Sequence, residues 1–132
     1  VKYVSKRFLN KLSEKKIKII NSQILILGFS FKENCSDTRN SKIKDLHKLL
    51  IRKKCKVDIL DPHIKNDFIN KNRKYTFIKS PKFKKYDGII LAVPHNVFLS
   101  MGPQRIKKYL KKHGVFFDLK SSFSKEVSDI RL

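Results

Sequence analysis

The chain has 132 residues and a mass of 15.6 kDa, which is the size of one domain. Hydrophobic residues make up 40% of it and ten residues are Phe, so we expect a packed core rather than disorder, although the mean hydropathy is -0.42. The longest apolar runs have about six residues, whereas a membrane span needs ~20. No signal-peptide pattern opens the sequence. These features predict a soluble cytoplasmic domain without a membrane partner.

Lysine and arginine outnumber aspartate and glutamate by 32 to 11, which gives a formal net charge of +21. Such an excess raises nucleic acid as a partner. The charge is spread evenly, however, because residues 1–66 hold 17 basic and 6 acidic groups and residues 67–132 hold 15 and 5. Only 6 of the basic residues are Arg, which reads base edges better than Lys. We interpret the charge as a compositional bias of an A- and T-rich genome and predict no specific nucleic-acid partner.

Two cysteines are too few for a disulfide framework, and the cysteines and four histidines lack metal-ligand spacing. We therefore predict no metal site. The chain begins with Val1 rather than Met, and its first residues already have helical spacing. We expect it to be a piece of a longer protein.

The first half of the chain alternates between segments with apolar residues at helical spacing and short apolar runs rich in β-branched residues. The former predict amphipathic helices and the latter predict strands buried on both faces. The predicted elements are a helix over residues 2–17, a strand over residues 23–28, a polar loop over residues 29–40, a helix over residues 41–54 and a strand over residues 56–60.

The second half continues with a short strand over residues 75–78 and a strongly apolar strand over residues 88–93. Pro103 is well suited to the first position of a helix, and Gly114 is expected to cap the end of that helix. Residues 115–118 are predicted to form the last strand.

This alternation predicts an α/β fold, namely a three-layer Rossmann-like parallel sheet of about five strands with helices on both faces. Ligands of such sheets bind beyond the carboxyl ends of the strands. Four predicted loops lie at that edge. They begin at Phe29, Asp61, Pro94 and Leu119. Cys35 is expected at this edge and Cys55 at the opposite edge, so we predict two free thiols.

The loop after the first strand lacks the pattern G-x-G-x-x-G, since Gly28 is its one glycine and bulky phenylalanines follow. A pyrophosphate could not approach this backbone as it does in dinucleotide-binding folds. The loop instead offers Lys32 and Arg39 for a phosphate and Asn34 for a base or sugar. A solvated loop whose charges pair with each other is the alternative.

The stretch ILILGFSFKENCSDTRNSKIKDLHKLL, followed by VDILDPHI, resembles the UDP-glucose/GDP-mannose dehydrogenase family in its C-terminal, UDP-sugar-binding domain. The stretches YDGIILAVPH and FDLK follow in the expected order. The form FKENCSDTRNS is most similar to the subgroup that acts on UDP-N-acetylhexosamines in O-antigen and capsule synthesis. The resemblance covers essentially the whole chain and implies that residues 1–20 are the tail of the family's central helix and residues 21–132 are the UDP-sugar-binding domain.

The resemblance also implies site residues by position. Phe31 and Lys32 would contact the UDP-sugar, and Lys120 would contact it across a subunit interface, although Lys is a weaker bidentate partner than the Arg usual in such a role. Arg39 would reach the NAD cofactor that the family holds mainly in its N-terminal domain.

The family oxidises the primary alcohol of the sugar to a carboxylate with two NAD, through a cysteine nucleophile aided by a Lys and an Asp. Those residues and the glycine-rich NAD motif belong to other regions of the family, and Cys35 matches a loop motif rather than the nucleophile. We therefore expect no catalytic residue here and no turnover by this chain alone. Its expected partners are the UDP-sugar and either a second copy in a homodimer or an N-terminal half.

His95 and His63 follow predicted strands, and a structural role is favoured for both over a polar contact near the ligand. A group of lysines is expected to form a solvated face, namely Lys74, Lys79, Lys82, Lys84 and Lys85. Two alternative functions stay open, namely a basic nucleic-acid-binding module and a non-catalytic dimerisation remnant.

Overall fold

A computed structural model of the chain describes residues 1–39 and 41–132. In these residues six strands form one sheet in which every neighbouring pair is parallel. The strands are β1 (Gln23–Leu27), β2 (Lys56–Leu60), β3 (Thr76–Phe77), β4 (Tyr86–Leu91), β5 (Leu110–Asp118) and β6 (Ile130–Arg131). Their order across the sheet is β3-β2-β1-β4-β5-β6. From β1, successive strands are added first on one side (β2, β3) and then on the other side (β4, β5, β6), so the strand order reverses between β1 and β4.

Helices cover both faces of the sheet, which confirms the predicted three layers. The helices are α1 (Lys2–Glu14), α2 (Ile43–Arg52), α3 (Asn66–Lys71), α4 (Asn96–Met101) and α5 (Pro103–Lys107). Side chains of α1, α2 and α3 pack into one apolar cluster, and side chains of α4 and α5 pack into the other. The short helices α3 and α4 were not predicted from the sequence.

Strand β1 is central because its apolar side chains serve both layers. Ile24 and Ile26 belong to one cluster, and Leu25 and Leu27 belong to the other. This division follows from the two-residue period of a strand. All four side chains are fully buried, and full burial of a Leu or Ile side chain stabilises a fold by about 1.5–3 kcal/mol. The unbroken apolar run therefore explains why β1 lies in the middle of a covered sheet.

Helix α1 is part of the core, since Phe8 and Leu12 are fully buried. The Phe8 ring lies against β4 so closely that a Cβ atom added at Gly88 would come within 2.4 Å of it. Glycine at this position therefore permits the close packing of α1 on the sheet. The division of the chain after residue 20 into two parts stays a prediction.

The helix predicted from Pro103 to a cap at Gly114 is wrong beyond Lys107. Strand β5 begins at Leu110, where it pairs with Tyr86 of β4 before a shift in register. A Cβ atom at Gly114 would lie 3.0 Å from the Asp87 carbonyl oxygen. This glycine therefore allows close approach of two strands and does not end a helix.

Two further predictions are wrong, one about the last strand and one about Lys85. Residues 115–118 are not the last strand, because β6 extends the sheet to six strands rather than about five. Lys85 is not part of a solvated face, since its Nζ lies 3.0 Å from the Asp58 carboxylate, which also accepts a hydrogen bond from the Tyr86 hydroxyl. The remaining predicted strands match the structure to within two residues, and α1 and α2 end two or three residues earlier than predicted.

Candidate functional site

A cavity of about 420 Å³ opens at the carboxyl edge of the sheet. It lies where the loops after β1, β4 and β5 meet the first turns of α1 and α2, beside Leu132. Side chains at its wall include Ser30, Phe31, Ser41, Lys42, Val93 and Lys120. Because β1 and β4 are the strands at which the strand order reverses, this is the position at which ligands bind in open parallel sheets.

Two of the three predicted substrate contacts line this cavity together. Phe31 comes from the loop after β1 and Lys120 from the loop after β5, although they are far apart in the sequence. Phe31 is 53% exposed, so its ring is accessible to a ligand from the solvent. Lys32 is exposed at the same edge, next to Phe31, but is not part of the cavity wall.

Arg39, the predicted NAD contact, lies in the polar segment after β1 and is exposed. Its guanidinium donates hydrogen bonds of 3.1 Å from Nε and from Nη2 to the two carboxylate oxygens of Asp37, and its side chain is 86% exposed. Hydrogen bonds from Arg39 hold the pKa of Asp37 below its ordinary value. Arg39 does not line the cavity that Phe31 and Lys120 share, and its contact with NAD stays a prediction.

The β1 loop, defined as residues 28–34, is anchored by the buried carboxylate of Asp61. Oδ2 of Asp61 accepts hydrogen bonds from the Phe29 amide at 2.7 Å and the Ser30 amide at 3.0 Å, and Oδ1 accepts one from the His63 amide at 2.9 Å. Burial would raise the pKa of Asp61, but hydrogen bonds from His95 and these amides outweigh it and leave the pKa below its ordinary value. Asp61 is therefore an ionised anchor.

His95 completes the anchor from the end of β4. Its side chain is fully buried, and its Nε2 lies 2.9 Å from Oδ2 of Asp61. Its Nδ1 accepts a hydrogen bond of 2.7 Å from the Asn34 amide. A nitrogen that accepts carries no proton, so the geometry assigns the imidazole proton to Nε2, where it is donated to Asp61. The structure gives His95 the structural role that the sequence favoured, and the ring of His63 packs 4.4 Å from the ring of His95.

The Asp61 and His95 pair was not predicted from the sequence. Each residue stands directly after or near the end of a strand, in the stretches LDPH and VPH. Since β2 and β4 flank β1, these two strand ends lie on either side of the β1 loop. The signal was therefore present, but the order of the strands was needed to find it.

The β1 loop does not fit the pyrophosphate of a dinucleotide. Gly28 has a positive φ of 95°, and a Cβ atom there would lie 2.5 Å from the Cβ of Val93. The end of β4 therefore covers the backbone that a pyrophosphate would approach in a G-x-G-x-x-G loop. The exposed guanidinium of Arg39 is a group that can pair with an anion.

The two cysteines are free, as predicted, with Cys35 partly exposed and Cys55 buried. Burial raises the pKa of the Cys55 thiol, which favours an unreactive structural role.

Comparison with known proteins decides the family. The model of the UDP-glucose/GDP-mannose dehydrogenase family, UDP binding domain, matches residues 25–125. The chain belongs to this family. It corresponds to the C-terminal UDP-binding domain, as the resemblance of the loop motif implied.

Two relatives agree with this assignment, and a solved structure shows the same fold. The chain is 40% identical to UDP-N-acetyl-D-glucosamine 6-dehydrogenase of Salmonella typhi and 35% identical to that of Pseudomonas aeruginosa. In both cases the match covers 98% of this chain and 31% of the relative, so the chain spans about a third of the length of these enzymes. The structure of UDP-D-ManNAc dehydrogenase from Pyrococcus horikoshii superposes with a TM-score of 0.75 at 21% identity, over 98% of this chain and 29% of that one.

None of the helices in residues 1–39 and 41–132 has both the length and the apolar character needed to cross a membrane.

Proposed function

We propose that this UDP-binding domain binds the UDP-N-acetylhexosamine substrate of an NAD-dependent 6-dehydrogenase. The product would be a UDP-uronic acid for surface polysaccharides, made in the cytoplasm. The observation that carries the proposal is the cavity at the carboxyl edge of the sheet, which Phe31 and Lys120 both line.

The side chains around the cavity suit the parts of a nucleotide sugar. The exposed ring of Phe31 can stack on a base or pack on a sugar, and stacking of a base on an aromatic ring is worth about 1–3 kcal/mol. Lys42 and Lys120 on the cavity wall, with Lys32 beside it, supply positive charge for a diphosphate. The first turn of α2 adds the partial positive charge of a helix amino terminus.

The cofactor proposed for the whole enzyme is NAD, which would accept hydride from the sugar. In this chain Arg39 is the residue proposed to contact it. Its exposed guanidinium would meet an anionic group presented from outside the domain, since the β1 loop does not accommodate a pyrophosphate.

We propose that this domain acts with further protein, either an N-terminal half or a second copy of the chain. The family's NAD motif and cysteine nucleophile belong to regions of the family other than this domain, so the domain alone would bind substrate without oxidising it. Lys120 is proposed to act across a subunit interface, because it is an exposed residue of the cavity wall and so is accessible from outside the domain.

Calorimetric titration with UDP and with UDP-N-acetylglucosamine tests the binding proposal. Weak binding is expected, and Lys32→Ala should weaken it about tenfold through loss of a charged contact. Lys53→Ala is the matched control, since Lys53 is exposed at the carboxyl end of α2, at the opposite edge of the sheet. Equal loss of affinity in both variants would show that net charge, not the site, attracts the ligand.

A second titration with duplex DNA at ~0.15 M salt separates this proposal from general binding of polyanions. We expect negligible affinity for DNA at that salt. DNA binding tighter than UDP binding would favour the nucleic-acid module instead.

A further inference from the structure

We infer that His95 is a positioning residue that holds the β1 loop in the conformation presenting Phe31 and Lys32. It would do so through Nδ1, which accepts the Asn34 amide. The inference rests on the proposed function, because it concerns how that same site is kept ready for its ligand.

His95 cannot serve by touching the ligand itself. Its side chain is fully buried and both ring nitrogens are engaged, Nε2 with Asp61 and Nδ1 with the Asn34 amide. Its effect on binding must therefore pass through the residues that it holds.

Asn34 is fixed to the start of α4 at two points. Its amide donates to His95, and its side-chain Oδ1 accepts a hydrogen bond of 2.9 Å from the Asn96 amide. Asn34 has a positive φ of 57°, a conformation that Asn tolerates better than most residues but that still needs support. The two hydrogen bonds supply that support.

The other end of the exposed segment is fixed by the same buried pair. The Ser30 amide donates to Asp61, and the Ser30 hydroxyl lies 3.2 Å from Nε2 of His95. Phe31 and Lys32 therefore lie between two anchored residues while their own side chains remain exposed. Such a segment is ordered before the ligand arrives, which lowers the entropic cost of binding.

Two substitutions distinguish the roles of the two ring nitrogens of His95. In His95→Asn, the side-chain oxygen takes the approximate place of Nδ1 and can still accept the Asn34 amide, but the donor to Asp61 is lost. In His95→Gln, the amide nitrogen can still donate to Asp61, but the acceptor for Asn34 is lost. Both variants are expected to lose stability, so binding and NMR measurements are made on the folded 132-residue chain below the unfolding transition.

Nuclear magnetic resonance reports the hydrogen bond directly. We expect scalar coupling between the Asn34 amide nitrogen and Nδ1 of His95 in the unaltered chain. Hydrogen exchange of the Asn34 amide should be slow in the unaltered chain and in His95→Asn, and fast in His95→Gln. The affinity for UDP should fall about tenfold in His95→Gln and less than about threefold in His95→Asn.

Several results would overturn the inference. One is the absence of coupling together with fast exchange in the unaltered chain. Another is equal loss of UDP affinity in both variants, which would indicate a merely structural effect. If His95→Gln binds UDP as the unaltered chain does while Lys32→Ala weakens binding, the inference fails and the proposed function stands. If the unaltered chain binds no UDP, the proposed function fails, and the coupling and exchange of Asn34 alone decide whether His95 holds the loop.

Discussion

The β1 loop and the β5 loop, residues 119–124, each carry a proposed ligand contact, but they are held in different ways. Asp61 anchors the β1 loop from the neighbouring strand β2 and is paired with His95 of β4. Asp118 anchors the β5 loop from its own strand, by accepting hydrogen bonds from the Ser122 amide at 2.9 Å and the Phe123 amide at 2.8 Å. One aspartate therefore joins three strand ends, whereas the other shapes a local turn.

The comparison shows that a buried carboxylate can either join distant parts of the chain or stabilise one local turn. Loss of Asp61 affects every element that converges on the site, because its partners come from separate parts of the chain. Loss of Asp118 affects a segment of a few residues. Unfolding free energies of paired variants can measure this difference.

The largest effect is expected for Asp61→Asn. The substitution places an amide nitrogen among backbone amides and an imidazole N–H that all need an acceptor, and it removes the fully buried carboxylate to which His95 donates. We expect a loss of about 3 kcal/mol in the free energy of unfolding. Urea denaturation followed by circular dichroism measures it.

Asp118→Asn should cost less, about 1–2 kcal/mol, because one of two backbone hydrogen bonds is lost within one turn. The same urea experiment applies, and the substitution is isosteric in both cases. A loss as large as that of Asp61→Asn would show that the two anchors are equivalent and would break the comparison.

At acid pH the free energies of unfolding of the unaltered chain and of Asp61→Asn should become more similar. The pKa of Asp61 in the folded chain lies below its ordinary value of 3.8, so ionisation of Asp61 stabilises the fold above that value, and this stabilisation is lost as the pH falls through the folded pKa. Unfolding free energy measured stepwise from about pH 5 to about pH 2 should therefore fall more steeply in the unaltered chain than in the variant. Identical slopes would contradict an ionised anchor.

The smallest effect is expected for Arg39→Gln. Arg39 pairs with Asp37 on the surface, with 86% of its side chain exposed, and exposed ion pairs contribute little to stability. The urea midpoint should stay unchanged within error. A clear shift of the urea midpoint would mean that the chain around Arg39 is anchored as firmly as the β1 loop.

The central part of the fold was predictable because its strands have clear local patterns. β1 is an almost continuous apolar run with buried side chains on both faces, and β2 alternates buried Val57 and Ile59 with more exposed neighbours; both were placed almost to the residue. The edge was less predictable. Strand β6 has two residues and pairs only with β5, so it leaves no periodic pattern, and the start of β5 is rich in lysines that resemble the polar side of a helix.

The candidate site was predicted in part for a similar reason. The rule that ligands lie beyond the carboxyl ends of parallel strands pointed to the loops after β1 and β5, and the family resemblance pointed to Phe31 and Lys120 within them; both residues line the cavity. The anchor of Asp61 and His95 needed knowledge of which strands are neighbours. Its residues are 34 positions apart, and no local pattern links them.

Both outermost strands of the sheet, β3 and β6, are only two residues long. An exposed strand edge is a template on which another molecule can add its own backbone, and proteins commonly shorten such edges to prevent it. Here the template is nearly absent on both sides, and a net charge of +21 adds mutual repulsion between molecules. The domain should therefore resist intermolecular strand addition even at the high protein concentrations that weak ligands demand of calorimetry.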